Sequence, residues 1–194
     1  MSDGWAIWYG RELKCFSFDY ARALQMARDL HGIIHAMVYE MTRDDLKSAL
    51  DDTNVQAMIT VIRTGEGTLG DDGFRKLFGG ELFTSFAAHP HKLVNLSGYS
   101  STAAGAGQFL SKTWDHLVEE YGFPDFSPEC QLEGIVALIA GRGALDDVKT
   151  GNLQEAIRKC NKEWASLPES PYGQPVRTMA QAEKTFTDHG GTLA

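Results

Sequence analysis

Apolar positions recur at helical spacing in most segments of this chain, and turn-forming residues separate them. Between Ser17 or Asp19 and about Glu40, the residues Tyr20, Ala23, Leu24, Ala27, Leu30, Ile34, Met37 and Val38 fall on one face. That spacing predicts a single amphipathic helix, capped by Asp19 or Ser17 and weakened in its middle by Gly32. Thr42-Arg43-Asp44-Asp45 signals a new helix start, with acids suited to an N-terminus, running to about Leu50. Asp51-Asp52-Thr53-Asn54 reads as a break and a fresh cap. The helix after it carries Val55, Met58, Ile59 and Ile62 on one side. The stretch from Gly65 to Gly80 is polar and glycine-rich, with a turn at Asp71-Asp72-Gly73 and short strands expected around Phe74–Leu77 and Glu81–Phe83.

Beyond a His89-Pro90-His91-Lys92 loop and a small-residue loop from Gly98 to Gly107, a helical stretch is expected from Gln108 to about Tyr121. Ser127-Pro128-Glu129 places Ser at the cap and Pro at the first position of another helix, which ends near Gly141. Two more helices follow, from Leu153 to Trp164 with Asn152 as cap, and from about Thr178 to His189, closed by Gly190-Gly191. Between them lies a loop with three prolines, Leu167 to Pro175. The pattern is mostly helical with one small β region, so the expected class is α+β. Residues 1–50 read as an N-terminal helical extension, which packs on the main body or binds a partner. Residues 51–194 read as the main domain.

One carboxylate stands out. Thr64-Gly65-Glu66-Gly67-Thr68 follows the apolar run Ala57-Met58-Ile59-Thr60-Val61-Ile62, so Glu66 ends an apolar segment between two glycines. An apolar wall raises a carboxyl pKa. Flanking glycines allow a sharp turn and close approach of a large ligand. General acid catalysis on a glycosidic bond needs such a group. A solvated loop acid is the plainer reading of the five residues taken alone.

Bulk properties narrow the classes. The 194 residues suffice for one domain with a core, and 43% hydrophobic with 23% charged residues is ordinary for a globular protein. A net charge of -8 argues against nucleic acid and against anionic lipid as partners, and is neutral toward sugar. No apolar run approaches the ~20 residues of a membrane span. Met1 to Tyr9 lacks a basic segment and a long apolar core, so no signal peptide and no membrane insertion are expected. Cys15, Cys130 and Cys160 are odd in number and widely spaced; buried reduced thiols are expected, with a Cys130–Cys160 bridge as the alternative. His89 and His91 lack a third ligand and read as surface histidines, so no metal and no cofactor is expected.

A longer series of blocks then becomes recognisable. Thr64 to Thr68, Gly79-Gly80-Glu81-Leu82-Phe83-Thr84, His89-Pro90, Lys92-Leu93-Val94, Ser101-Thr102 with Gly105 and Gln108, and Trp114-Asp115 occur in order. So do Asp125-Phe126-Ser127-Pro128, Arg142-Gly143-Ala144-Leu145, Gln154-Glu155-Ala156-Ile157, Trp164-Ala165-Ser166-Leu167-Pro168, Tyr172-Gly173-Gln174 and Gly190-Gly191-Thr192. Across about residues 58–192 the chain resembles the phage lambda lysozyme (endolysin) family. The resemblance implies a lysozyme-like fold of two lobes around a groove. It also implies a phage or prophage lytic transglycosylase that cuts the MurNAc-β-1,4-GlcNAc bond of peptidoglycan, leaving a 1,6-anhydromuramoyl end, with Glu66 as the single catalytic glutamate. It further implies cytoplasmic synthesis, action at the cell wall or periplasm, and a separate holin for export; a monomer is expected. The family has acids where this chain has Ser85 and Ala88. Met41 would restore a family-like N-terminus.

Around Glu66 the expected substrate contacts are Gln108, whose amide can donate and accept toward an acetamido sugar, Ser101 and Thr102 from the same loop, and Tyr172 as an aromatic platform. Gly105 to Gln108 is similar to the Gly-x-x-Gln element common in transglycosylases. Each has a plainer reading: Gln108 on a helix surface, Ser101 and Thr102 closing their own loop, Tyr172 packed. Glu81 is either a second carboxylate or a structural acid in the β region. Asp71 and Asp72 read as solvated turn acids, and Phe83, Phe86 and Trp164 as core. Two rivals stay open: a hydrolysing muramidase that recruits a second carboxylate, and a non-catalytic wall-binding virion module.

Overall fold

The computed structural model describes residues 4–9, 12–17, 36–39, 41–96, 98–172 and 177–194. The chain divides into two compact units, Met1–Thr42 and Arg43–Ala194. The division falls earlier than the boundary at residue 50 expected from the sequence, because the first helix after it, α1 (Arg43–Ala49), is tied into the second unit. Arg43 Nε donates to Glu133 Oε2 at 2.6 Å, and Leu46 and Ala49 are buried.

In the first unit, β1 (Gly4–Tyr9) is the central strand of an antiparallel sheet, flanked by β2 (Glu12–Ser17) and β3 (Ala36–Tyr39). Trp5 faces Ser17 on one side and Val38 on the other, and the β1–β2 register shifts between Ile7 and Trp8. The helix expected from Ser17 or Asp19 to Glu40 lies mostly outside the described residues. At its two ends the structure differs: Ser17 closes β2, and Ala36–Tyr39 is a strand. Met37 and Val38 fit the helical period, but pairing with Ala6 and Trp5 decides, and a distant partner strand leaves no trace in local periodicity.

The second unit is helical with a small β part. The helix α2 (Thr53–Gly65) starts on Asp52, whose Oδ1 accepts from the backbone N–H of Asn54 and Val55 at 2.8 and 3.1 Å. Val55, Ala57, Met58, Ile59, Val61 and Ile62 bury its apolar stripe. A 3₁₀ turn at Asp71–Arg75 and two isolated bridges, Lys76 to Leu82 and Leu77 to Ala104, occupy the region where short strands were expected. The regular pairing comes later, in a hairpin of β4 (Val94–Leu96) and β5 (Tyr99–Ser101). The helix expected from Gln108 begins only at Ser111: α3 is Ser111–Tyr121.

The central element is α4 (Pro128–Gly141), capped by Ser127 as expected and apolar on nearly every side, which suits a helix enclosed by others. Three helices complete the unit: α5 (Leu145–Lys149), which the sequence reading missed, α6 (Leu153–Cys160), and α7 (Met179–Asp188). A capping box between Thr178 and Gln181 starts α7, which packs on α2. Asn152 precedes α6 without capping it; its side chain donates to Asp147 Oδ1 instead. Cys130 and Cys160 are buried free thiols.

On one side of α4 lies an aromatic cluster. Trp114 stacks on Phe123 and meets Phe126 and Phe109 edge-on, with centroids 4.5–5.3 Å apart. On the same helix, the fully buried Gln131 has its amide completely used. Its Oε1 accepts from Ala106 N–H at 2.7 Å, and its Nε2 donates to Phe126 O at 2.7 Å and Phe74 O at 3.0 Å. Leu at position 131 would fill similar space but leave three backbone groups without partners. We expect Gln131→Leu to lose at least about 3 kcal/mol of stability in urea unfolding; a loss under about 1 kcal/mol would mean that water replaces the amide.

Candidate active site

The last residue of the apolar α2 segment hands the chain to a turn in which Glu66 is the C-cap. Its N–H bonds Ile62 O, and Gly67 at φ 67° turns the backbone away. Thr68, fully buried, donates its hydroxyl to Ala106 O at 2.6 Å. Arg63 grips the far side of the turn through Thr68 O and Gly70 O, at 2.7 and 2.8 Å, with its guanidinium over Phe74. The backbone at Glu66 is therefore fixed from two directions.

The side chain of Glu66 is half-buried and receives one strong hydrogen bond: Ser166 Oγ donates to its Oε1 at 2.6 Å. Gly65 makes this contact possible, since a Cβ there would sit 2.4 Å from Ser166 Oγ. Ser166 is held in turn by its neighbour Trp164, which is buried and donates Nε1–H to Gly107 O at 3.0 Å. Burial raises the Glu66 pKa above its ordinary value, and the hydrogen bonds from Ser166 offset only part of that rise. The carbonyl-rich C-terminus of α2 disfavours the anion as well.

Glu66 opens onto a cavity of about 410 Å³. Its wall includes Gly65, Ser166, Lys76, Gly79, Gly80 and Gln108, and Glu66 is the one carboxylate among the described residues that line it. The volume lies within the range of small-ligand sites. Among the described residues no group of three potential metal-ligating side chains comes together. Also among them, no helix is long and apolar enough to cross a membrane.

Of the residues singled out from the sequence, Glu66 and Gln108 meet at this cavity. Gln108 does not open a helix. It sits in a turn at φ 46°, and its Nε2 donates to Lys76 O and Gly105 O at 3.1 and 3.0 Å. Both amide hydrogens are spent on the protein, so only its Oε1 is left for a ligand. Ser101, Thr102, Glu81 and Tyr172 do not line the cavity. Ser101 Oγ accepts from Ala103 N–H. Thr102 Oγ1 accepts from Ser111 N–H at the start of α3 and donates to Ser111 Oγ. Glu81 is ion-paired with Lys92, both carboxylate oxygens 2.8 Å from Nζ. Tyr172 is exposed, and its hydroxyl donates to Lys162 O.

His89 is not the surface histidine expected. It is buried against Phe126, its Nδ1 accepts from His91 N–H, and its Nε2 therefore carries the proton given to Phe109 O at 2.9 Å. Burial lowers its pKa. Trp164 is core as expected, whereas Phe83 and Phe86 are half-buried and pack edge-to-face on each other. Ser166 and Lys76 are the site residues that sequence reasoning missed. Ser166 lies 100 positions from Glu66, and the only hint was its place in the Trp164–Pro168 block.

A family model described as Endolysin matches residues 56–193. The endolysin of Escherichia phage lambda is 37% identical over 145 residues, covering 71% of this chain and 92% of that protein. The endolysin of Escherichia phage P2 is 33% identical over 157 residues, covering 73% and 95%. Among solved structures, bacteriophage lambda lysozyme complexed with a chitohexasaccharide superposes with a TM-score of 0.70 at 36% identity, over 73% of this chain and 97% of that one. A second structure of lysozyme from bacteriophage lambda gives a TM-score of 0.66 at 34% identity, with the same coverage.

Because its pKa is raised in the native state, the Glu66 carboxyl holds its proton more tightly there than in the unfolded chain. Its contribution to stability therefore declines as pH rises from the ordinary value of 4.5 through the native pKa, and is constant above it. Glu66→Gln, which cannot ionise, should melt above the parent at neutral pH. The difference should shrink as pH falls to 4. Calorimetric melting across that range checks this, and a difference that widens toward acid would contradict the assignment.

Proposed function

The chain belongs to the endolysin family, whose members are lysozyme-like enzymes of bacterial cell-wall lysis, and within it we propose that this protein is a lytic transglycosylase. The observation that carries the proposal is that Glu66 is the one carboxylate among the described residues that line the cavity. A hydrolysing glycosidase of the usual kind needs two carboxyl groups flanking the bond, one to protonate the leaving oxygen and one to act as nucleophile or to activate water. Glu81, the sequence candidate for a second, is outside the cavity wall and paired with Lys92.

With one acid, the nucleophile comes from the substrate. In this scheme Glu66 starts protonated, the form that burial favours. It passes its proton to the glycosidic oxygen as the bond from that oxygen to C1 of the muramic ring breaks. Ser166 O–H then stabilises the carboxylate that results. The carboxylate next takes the proton from the muramic C6 hydroxyl, whose oxygen bonds C1 and closes a 1,6-anhydro ring. Glu66 ends as it began, and no water is consumed. A nucleophile tethered to the same sugar has a high effective concentration, so the site needs no group to activate water. Gln108 contributes its Oε1 as acceptor for an acetamido N–H. Lambda lysozyme was solved with a chitohexasaccharide, and binding of β-1,4-linked N-acetylated glycan is proposed for this chain on that basis.

The unit Met1–Thr42 precedes the family match and is proposed as an appendage to the catalytic domain. Synthesis in the cytoplasm and passage to the wall through a lesion made by a separate holin belong to the same reading, as does action as a monomer.

Mass spectrometry of digested peptidoglycan should find anhydro ends, one water lighter than reducing ends; reducing ends alone would end the proposal. Glu66→Gln should lower the rate of wall lysis by roughly 10²–10⁴-fold with saccharide binding retained. Activity should fall on the alkaline side as Glu66 loses its proton. Ser166→Ala, which removes a bond favouring the anion, should move that limb to higher pH; a shift to lower pH would remove Ser166 from this role.

A further inference from the structure

Among the described residues of the cavity wall, Lys76 is the ionisable one besides Glu66, and the mechanism above does not use it. Its Nζ donates to Gly67 O at 2.6 Å, which places the ammonium beside the turn that follows Glu66. Two other half-buried cations meet a carboxylate, Arg43 with Glu133 and Lys159 with Asp147, while Arg63 and Arg75, like Lys76, bond backbone carbonyls, but neither of those arginines lines the cavity. No carboxylate among the described residues pairs with Lys76. An ammonium has three donors, and one neutral carbonyl leaves two of them unclaimed at the edge of a ligand-sized space.

A neutral acetamido glycan gives no reason to keep a fixed cation there, since hydroxyl and amide groups serve it at lower desolvation cost. The wall polymer is different, because the peptide arm on its muramic residues carries carboxylates. A chain of net charge -8 repels such a polymer at long range, and a cation inside the cleft opposes that repulsion locally. There is also room for a branch. A Cβ added at Gly67 or at Gly80, both on the cavity wall, would meet nothing within 4 Å.

From these observations we infer that Lys76 is a specificity-determining residue that binds a carboxylate on the peptide arm of the substrate, so that the enzyme prefers the anionic wall glycan to neutral oligosaccharides. The inference rests on the glycan-cleaving reading of the site, though not on which product forms.

The test is calorimetric binding to the full chain carrying Glu66→Gln. Three probes are used: a peptide-bearing glycan oligomer with free carboxylates, the same oligomer with its carboxylates amidated, and chitohexaose. The free-acid oligomer should bind roughly 3- to 10-fold more tightly than the amidated one, with the ratio shrinking at high salt. Adding Lys76→Met should bring the ratio to one and leave chitohexaose affinity unchanged, while Lys76→Arg should keep a ratio above one. Equal affinity for the two oligomers before Lys76 is changed would overturn the inference, as would an unchanged ratio in Lys76→Met. A loss shared by all three probes would overturn it too, reducing Lys76 to a clamp on the Gly67 turn. If Lys76→Met does not fold, the parent ratio, its salt dependence and Lys76→Arg still decide. Product analysis of the parent is a separate measurement, so failure of the transglycosylase reading and failure of this one give different results.

Discussion

The four-residue turn from Gly105 to Gln108 is the constraint on which the site depends. Gly105 stands at φ 76°, where a Cβ would lie 2.3 Å from Gln131 Oε1. Ala106 gives its N–H to that same oxygen and its carbonyl to the Thr68 hydroxyl. Gly107 gives its carbonyl to the Trp164 indole. Gln108 folds its amide back onto Gly105 O and Lys76 O. One short backbone segment thus joins α4, the turn that follows Glu66, the loop that carries Ser166 and the segment that carries Lys76. Most of these bonds run from a side chain to a backbone group. They fix main-chain position directly, so the side chains at the cavity need no long, flexible reach of their own. A precise acid requires this kind of support.

On that frame the electrostatics are a contest with a definite winner. Burial beside the apolar end of α2 opposes ionisation of Glu66, and so does the helix C-terminus. The Ser166 hydroxyl favours ionisation, and the net result is a carboxyl that keeps its proton above its ordinary range. The opposition is useful on the proposed reading. A group that must first give a proton and then take one back works best when neither state is strongly preferred. Without the Ser166 hydroxyl, the anion formed on proton transfer would lose its strongest donor.

What the sequence disclosed and what it hid follow from how local each cause is. Glu66 was legible because its environment is built by neighbours in the chain: an apolar run before it and a glycine on each side. The caps at Asp52, Ser127 and Thr178 were legible or nearly so for the same reason. Gln108 was found, but as the first residue of a helix. Its left-handed backbone is stabilised by Gly105 and Lys76, partners a helical reading does not include. Ser166, whose only cause for attention is a carboxylate 100 positions away, had no local mark. His89 looked like a loop residue and is buried, because Phe126 and Phe109 O come to it from later in the chain. Ala36–Tyr39 failed for the same reason, as its strand exists only through pairing with β1.

The resemblance read from the sequence implies two acids near His-Pro, where this chain has Ser85 and Ala88. In the fold these positions are far from catalytic in character. Ser85 Oγ accepts from Ala87 N–H, both residues are exposed, and neither lines the cavity. The one-acid scheme gives the physical reason that such losses are tolerable. A second carboxylate is required only when water must be oriented and deprotonated on the far face of the sugar. When the attacking oxygen belongs to the sugar itself, that requirement vanishes. What remains indispensable is a single proton donor at the correct height above the bond, a donor to steady its anion, and an acceptor to hold the ring in register. On the proposed reading Glu66, Ser166 and Gln108 are the groups that would supply these three, and their positions trace back to the turn at Gly105 through Ser166, Trp164, Thr68 and Gln108.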